Sequence, residues 1–146
     1  MLFRSITIAA LLPATARAVG TSSGTSDAPD LTAIKAKLKA KDFKSALPEL
    51  KALVDNGANH PDVFNLLGFS YRKTGDRTNG ALYYRKALDL DPLHKGALEY
   101  QGEMFVEIGD INKAKANLAT LVKLCPSGCE EREDLEKAIA DAPKKK

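Results

Sequence analysis

The 146-residue chain has two cysteines, two histidines and no tryptophan. It contains no Gly-rich phosphate loop, no His-Glu-x-x-His and no Gly-x-Ser-x-Gly, so no catalytic constellation is visible and no enzyme is expected. Two thiols cannot complete a four-ligand structural zinc site, and His60 and His94 fall in separate turns. Neither a metal nor another cofactor is expected. A basic field is missing too. The chain has 22 Lys and Arg against 19 Asp and Glu. Arg4 and Arg17 lie in a leader, and without them the count is 20 against 19. Lys144 to Lys146, in a basic tail at 143–146, account for the rest as a solvated end. No aromatic-interleaved basic patch exists, which excludes nucleic acid as a partner.

Residues 1–26 have no Asp or Glu. Arg4 precedes a short apolar run from Ile6 to Leu12, far below the ~20 residues a bilayer span requires. Pro13 follows, then Ala14, Ala16 and Ala18 in small-x-small spacing. Charge, apolar core and small-residue exit read as a signal peptide over 1–18. Residues 19–30 are a polar linker with too little apolar surface to fold. The expected destination is a bacterial periplasm, with no cysteine for a lipid anchor and no stable membrane insertion after cleavage. An organelle transit peptide is the rival, and the uniformly apolar run speaks against it.

What the chain does have is periodicity. Gly68, Tyr71, Gly75, Asp76, Tyr84, Ala87, Leu90 and Pro92 recur 34 residues later as Gly102, Phe105, Gly109, Asp110, Leu118, Leu121, Leu124 and Pro126. Asp42, Ala46, Leu50 and Leu53 extend the phase backwards, with Ala40-Lys41 in place of Thr74-Gly75. The pattern resembles the tetratricopeptide repeat. The resemblance implies an all-α, right-handed solenoid over 31–142, with three helix hairpins at about 31–59, 61–92 and 94–126. A capping helix at 128–142 completes it, as a solenoid end needs a polar outer side. Ser127-x-x-Glu130 fits a capping box for that helix. Gly68 is small for close helix approach, Gly75 suits positive φ, and Asp76 suits an N-cap. Pro48 is expected near the first turn of its helix, where a missing N–H costs little.

The resemblance also implies a protein or peptide partner in a concave groove lined by solvent-facing positions of the first helix of each hairpin. The candidates are Lys35, Lys39, Asn65, Phe69, Arg72, Lys73, Glu99, Glu103 and Glu107. Glu99, Glu103 and Glu107 share a stripe at i, i+4 and i+8, an acidic strip facing basic Arg72 and Lys73 with Phe69 exposed between. The alternative is that these charges pair across repeats on ordinary solvated faces. The clamp by which some relatives hold acidic tails is not carried over, since Leu31, Leu66, Gly96 and Tyr100 occupy four of its five positions. Self-association through a thinly capped first repeat is a second reading of function.

Cys125 and Cys129 suit a structural disulfide if the protein is exported. A redox-active or metal-handling pair is the alternative, weakened by spacing unlike Cys-x-x-Cys.

Overall fold

The computed structural model describes residues 28–143. The leader, most of the linker and the final lysines therefore lie outside the described residues. Within those residues seven helices occur in order: α1 Thr32–Lys39, α2 Phe43–Asp55, α3 Pro61–Lys73, α4 Arg77–Leu90, α5 Lys95–Glu107, α6 Ile111–Leu124 and α7 Glu130–Ala140. Each packs on its chain neighbour, and α3, α5 and α7 also stack in succession. The chain is an all-α solenoid of helix hairpins. Among the described residues no helix is long and apolar enough to cross a membrane.

The hairpins repeat one piece of joint chemistry. Asp42, Asp76 and Asp110 cap α2, α4 and α6, each accepting the backbone N–H three residues on, from Ser45, Asn79 and Lys113. Each satisfies one of the amides that a helix start leaves unpaired. The preceding residue closes the previous helix in the left-handed region. Gly75 has φ 92° and Gly109 has φ 81°, but Lys41 holds φ 61°. The three turns make the same pair of closing bonds, seen in Lys41 N to Leu38 O at 3.0 Å and Asp42 N to Lys37 O at 2.9 Å. The turn geometry thus survives in the first hairpin without its glycine, at a cost of about 1 kcal/mol or more.

Packing depends on small residues. A Cβ on Gly68 would lie 2.6 Å from the Tyr84 ring, and one on Gly80 would lie 3.2 Å from the Gly68 carbonyl. Helices α3 and α4 therefore meet almost backbone to backbone. Gly102 has a different neighbour from Gly68. Its Cβ would lie 2.6 Å from Leu135 of α7. The period explains this, since Leu135 comes 34 residues after Gln101 just as Gln101 comes 34 after Leu67. Helix α7 keeps the phase of a first helix and stacks on α5, as α5 does on α3. Gln101, where Leu67 is apolar, accepts from Asn117 Nδ2 at 3.0 Å instead of packing.

The core has two parts. One runs from Leu31, Ile34 and Leu38 through Leu50, Val63 and Leu67 to Ala97. The other joins Leu98, Leu121 and Leu135 beneath the lid.

Two expectations need correction. Pro48 is the sixth residue of α2, not in its first turn, so it removes a real i to i−4 bond there. Helix α7 starts one residue after its N-cap Cys129, which makes no side-chain cap bond, so the Ser127 capping box does not form. Its first turn holds Glu130, Glu131 and Glu133 against the positive end of the helix dipole.

Two substitutions test these joints by thermal unfolding. Lys41→Gly relieves the left-handed strain and should raise stability by about 1 kcal/mol. Gly68→Ala pushes on a buried ring and should lower it by about 1–3 kcal/mol. An unchanged melting temperature in either variant contradicts the corresponding reading.

Candidate functional site

The first helices of the successive hairpins enclose a groove of about 450 Å³, with α1 on one side and α7 on the other. Five of the nine candidate residues line it: Lys35, Lys39, Asn65, Phe69 and Glu99. Leu38 and Leu66 add apolar floor, and Tyr100 stands beside Phe69. Helix α7 supplies Glu130, Glu131 and Asp134. Those three acids were not among the candidates. The signal for them was the 34-residue phase, which continues into α7 as Leu135.

Of the other four candidates, Arg72, Glu103 and Glu107 form a separate cluster beyond the groove, and Lys73 stands outside it. Arg72 is the correction that matters most. It was expected to face solvent, yet its side chain is 1% exposed. It hydrogen bonds Glu103, lies 3.4 Å from Glu107 Oε1, and donates to Tyr100 O at 3.4 Å. Burial opposes its charge, but Tyr84, Glu103 and Glu107 outweigh that and hold its pKa above the usual value. Arg77 lies 3.6 Å from the other oxygen of Glu107. The expected acidic strip is therefore split: Glu103 and Glu107 are paired across the repeat joint, and Glu99 is left alone. Lys73 is exposed, with its Nζ 5.4 Å from the Phe69 ring centre.

Phe69 is half-buried rather than exposed. Its ring sits 5.8 Å from Phe43 in an edge contact and 4.7 Å from Tyr100. This row of rings crosses the three hairpins and fixes the groove floor, each contact worth about 0.5–1.5 kcal/mol beyond area.

Asn65 and Glu99 are also more buried than expected, at 5% and 6% exposure. Gly96 makes room for Asn65, since a Cβ there would lie 2.9 Å from the amide. Asn65 Oδ1 has no hydrogen-bond partner among the described residues. Glu99 has its pKa pushed up to about 8, first by burial, then by Glu103, Asp134, Glu131 and Glu130. At the turn before α5, His94 caps the helix through Nδ1, accepting from Ala97 N at 3.0 Å. Its Nε2 meets Asp62 Oδ1 at 2.8 Å, so the neutral ring is fixed as the Nε2–H tautomer. His60 caps α3 in the same way, accepting from Asp62 N at 3.2 Å.

The lid joint is covalent. Cys125 and Cys129 form a disulfide across a Cα separation of 6.0 Å, linking the end of α6 to the start of α7. Arg132 reinforces it, donating to Cys125 O at 3.3 Å and Pro126 O at 3.1 Å while pairing with Glu136.

Fold and groove together define a class, a short α-solenoid of stacked hairpins with a concave face. Its second hairpin, residues 61–92, matches the family model described as the tetratricopeptide repeat. The chain is also 28% identical over 64 residues to a protein of Pyropia yezoensis named "Uncharacterized protein ycf37". That match covers 44% of this chain and 36% of the relative, so it spans about a third of the relative's length.

Glu99 gives the domain a pH dependence of definite sign. Its pKa is about 8 folded, against an ordinary value of 4.5. Between those values the folded chain keeps a proton that the unfolded chain has released. Its contribution is therefore full below pH 4.5 and is lost as pH rises to 8. Glu99→Gln should be more stable than the parent at pH 9 by on the order of 1–3 kcal/mol, with the gap closing near pH 4.5. Urea unfolding at both pH values checks this, and a gap that does not change with pH rules it out.

Proposed function

We propose that the protein is a non-enzymatic binding module that holds a peptide or a helix of a partner protein in the groove between α1 and α7. The observation that carries this is the groove's lining. It sets an apolar floor of Leu38, Leu66 and Phe69 beside Asn65 Oδ1, which has no hydrogen-bond partner among the described residues, and beside carboxylates of Glu99, Glu130 and Asp134 that form no ion pair there. Arg72 Nε and Tyr84 OH are also buried without a partner among the described residues, but of the three only Asn65 lines the groove. Lys35 and Lys39 at one end and the acids of α5 and α7 at the other give the groove a direction, which suits an oriented ligand. Tetratricopeptide repeats in general mediate protein–protein interaction, and the match over 61–92 supports the same role here.

We further propose that the module works outside the cytoplasm, in a bacterial periplasm. The leader-like composition of residues 1–18 and the Cys125–Cys129 bridge both suit an oxidising compartment. In that setting the bridge serves as a structural clip on the lid.

Site-directed photocrosslinking tests the groove. A photoreactive residue in place of Lys39 or Asp134 should capture one and the same protein in cells. In place of Asp89 or Lys115, both exposed on second helices of the hairpins, it should not. Equal capture from all four positions would falsify the groove reading.

A further inference from the structure

The two ends of the groove differ in how far their charges are satisfied. At the α7 end, Glu131 has Lys95 at 3.6 Å. Glu99, Glu130 and Asp134 form no ion pair among the described residues. Glu99 is 6% exposed, yet its carboxyl oxygens are not among the fully enclosed unpartnered atoms and so stay open to the groove. The groups that face it do not relieve it. Glu103 from its own helix and Glu130, Glu131 and Asp134 from α7 are all acidic. From α3, Asp62 is acidic and engaged with His94, while Arg72 is committed to Glu103 and Glu107. His94 has both ring nitrogens occupied. Tyr100 adds a phenol, and Lys35 and Lys39 belong to the α1 side.

Asn65 is the second, independent sign. It is 5% exposed, it lines the same groove, and its amide makes no hydrogen bond among the described residues. Ionised carboxylates receive hydrogen bonds and an amide can turn its oxygen toward a donor, so the counterpart that suits all of them is a donor and a cation. A bare metal ion is not indicated: among the described residues no three acidic, histidine or cysteine side chains are grouped tightly enough to hold one. A cation on an apolar stem fits better, because Leu66, Phe69 and Tyr100 line the way to Glu99.

We propose that this end of the groove is the receptor for a lysine or arginine side chain of the bound peptide. Glu99 is its deep carboxylate, Glu130 and Asp134 its outer wall, and Asn65 its neutral amide. The proposal rests on the groove reading above and specifies its ligand. Binding the cation favours ionised Glu99, so a proton leaves as the peptide enters. Affinity therefore climbs with pH until Glu99 is ionised in the free protein as well.

Fluorescence anisotropy with the full chain tests this. The probe is a labelled alanine-rich decapeptide carrying one leucine and two lysines. Its twins carry glutamine or glutamate at the lysine positions. The lysine peptide should bind at least about tenfold more tightly than the glutamine twin at pH 8.5, with a smaller advantage at pH 6. Glu99→Gln should abolish the advantage, whereas Asp89→Asn, at an exposed site on α4, should leave it intact. Calorimetry near pH 7.5 in two buffers of different ionisation enthalpy should show proton release. A lysine advantage that persists in Glu99→Gln, or a lysine peptide that does not bind, overturns the proposal. If a twin binds equally well and crosslinks to a photoreactive residue in place of Lys39, the cation receptor falls and the groove stands. If no peptide crosslinks there, both fall.

Discussion

The close approach of α3 and α4 at Gly68 determines where the charges of this solenoid can go. Two glycines, Gly68 and Gly80, bring the helix backbones together, and the Tyr84 ring fills the space that a Cβ would take. Arg72 lies one turn beyond Gly68, and its backbone N and Cβ also lie against Gly80. A side chain that begins in so closed a place cannot reach solvent directly. It must find its counter-charge across the joint, on Glu103 and Glu107 of the next hairpin. A packing choice within one hairpin thus becomes an electrostatic fastening between two. Losing either carboxylate would leave a guanidinium with little water and too few partners, which is how buried ion pairs exert their largest effects.

The fastening also sorts the charges. Three glutamates on one face of α5 look equivalent by spacing, yet structure divides them. Two neutralise Arg72, and Arg77 shares Glu107. Glu99, one turn earlier, faces the lid and meets only more acid. The electrostatic character of the groove therefore comes from what Arg72 does not reach. An arginine placed one turn earlier would have neutralised the groove and exposed the joint.

Much of the scaffold was legible in the sequence because repeats convert local rules into a counted pattern. Asp42, Asp76 and Asp110 announce three helix starts, and Gly75 and Gly109 announce two stops. Lys41 could be placed only by phase, and it does adopt the glycine's conformation. The site was less legible, for a physical reason. Arg72 and Glu103 are 31 residues apart, and nothing in their local sequence says whether each faces water or the other. Exposed and paired charges obey the same helical spacing. Asn65 and Glu99 line the groove, but their burial depends on Gly96 and on α7, which belong to neighbouring units. Helix α7 itself read as a lid because its composition is polar. Its second role, as a wall of the groove, comes from Leu135 keeping the phase.

The bridge between Cys125 and Cys129 bears on this second role. In a one-dimensional stack each unit is held only by its neighbours, so the ends open more readily than the middle. Here the last described helix also supplies a wall of the proposed binding groove. An end that frays would erase the acidic wall while leaving every hairpin folded, and recognition would vanish at temperatures where helicity is nearly intact. The disulfide and the Arg132 contacts pin the first turn of α7, the turn that bears Glu130 and Glu131 and leads directly into Asp134. On the proposed function, what the clip preserves is the fraction of molecules able to bind at any moment.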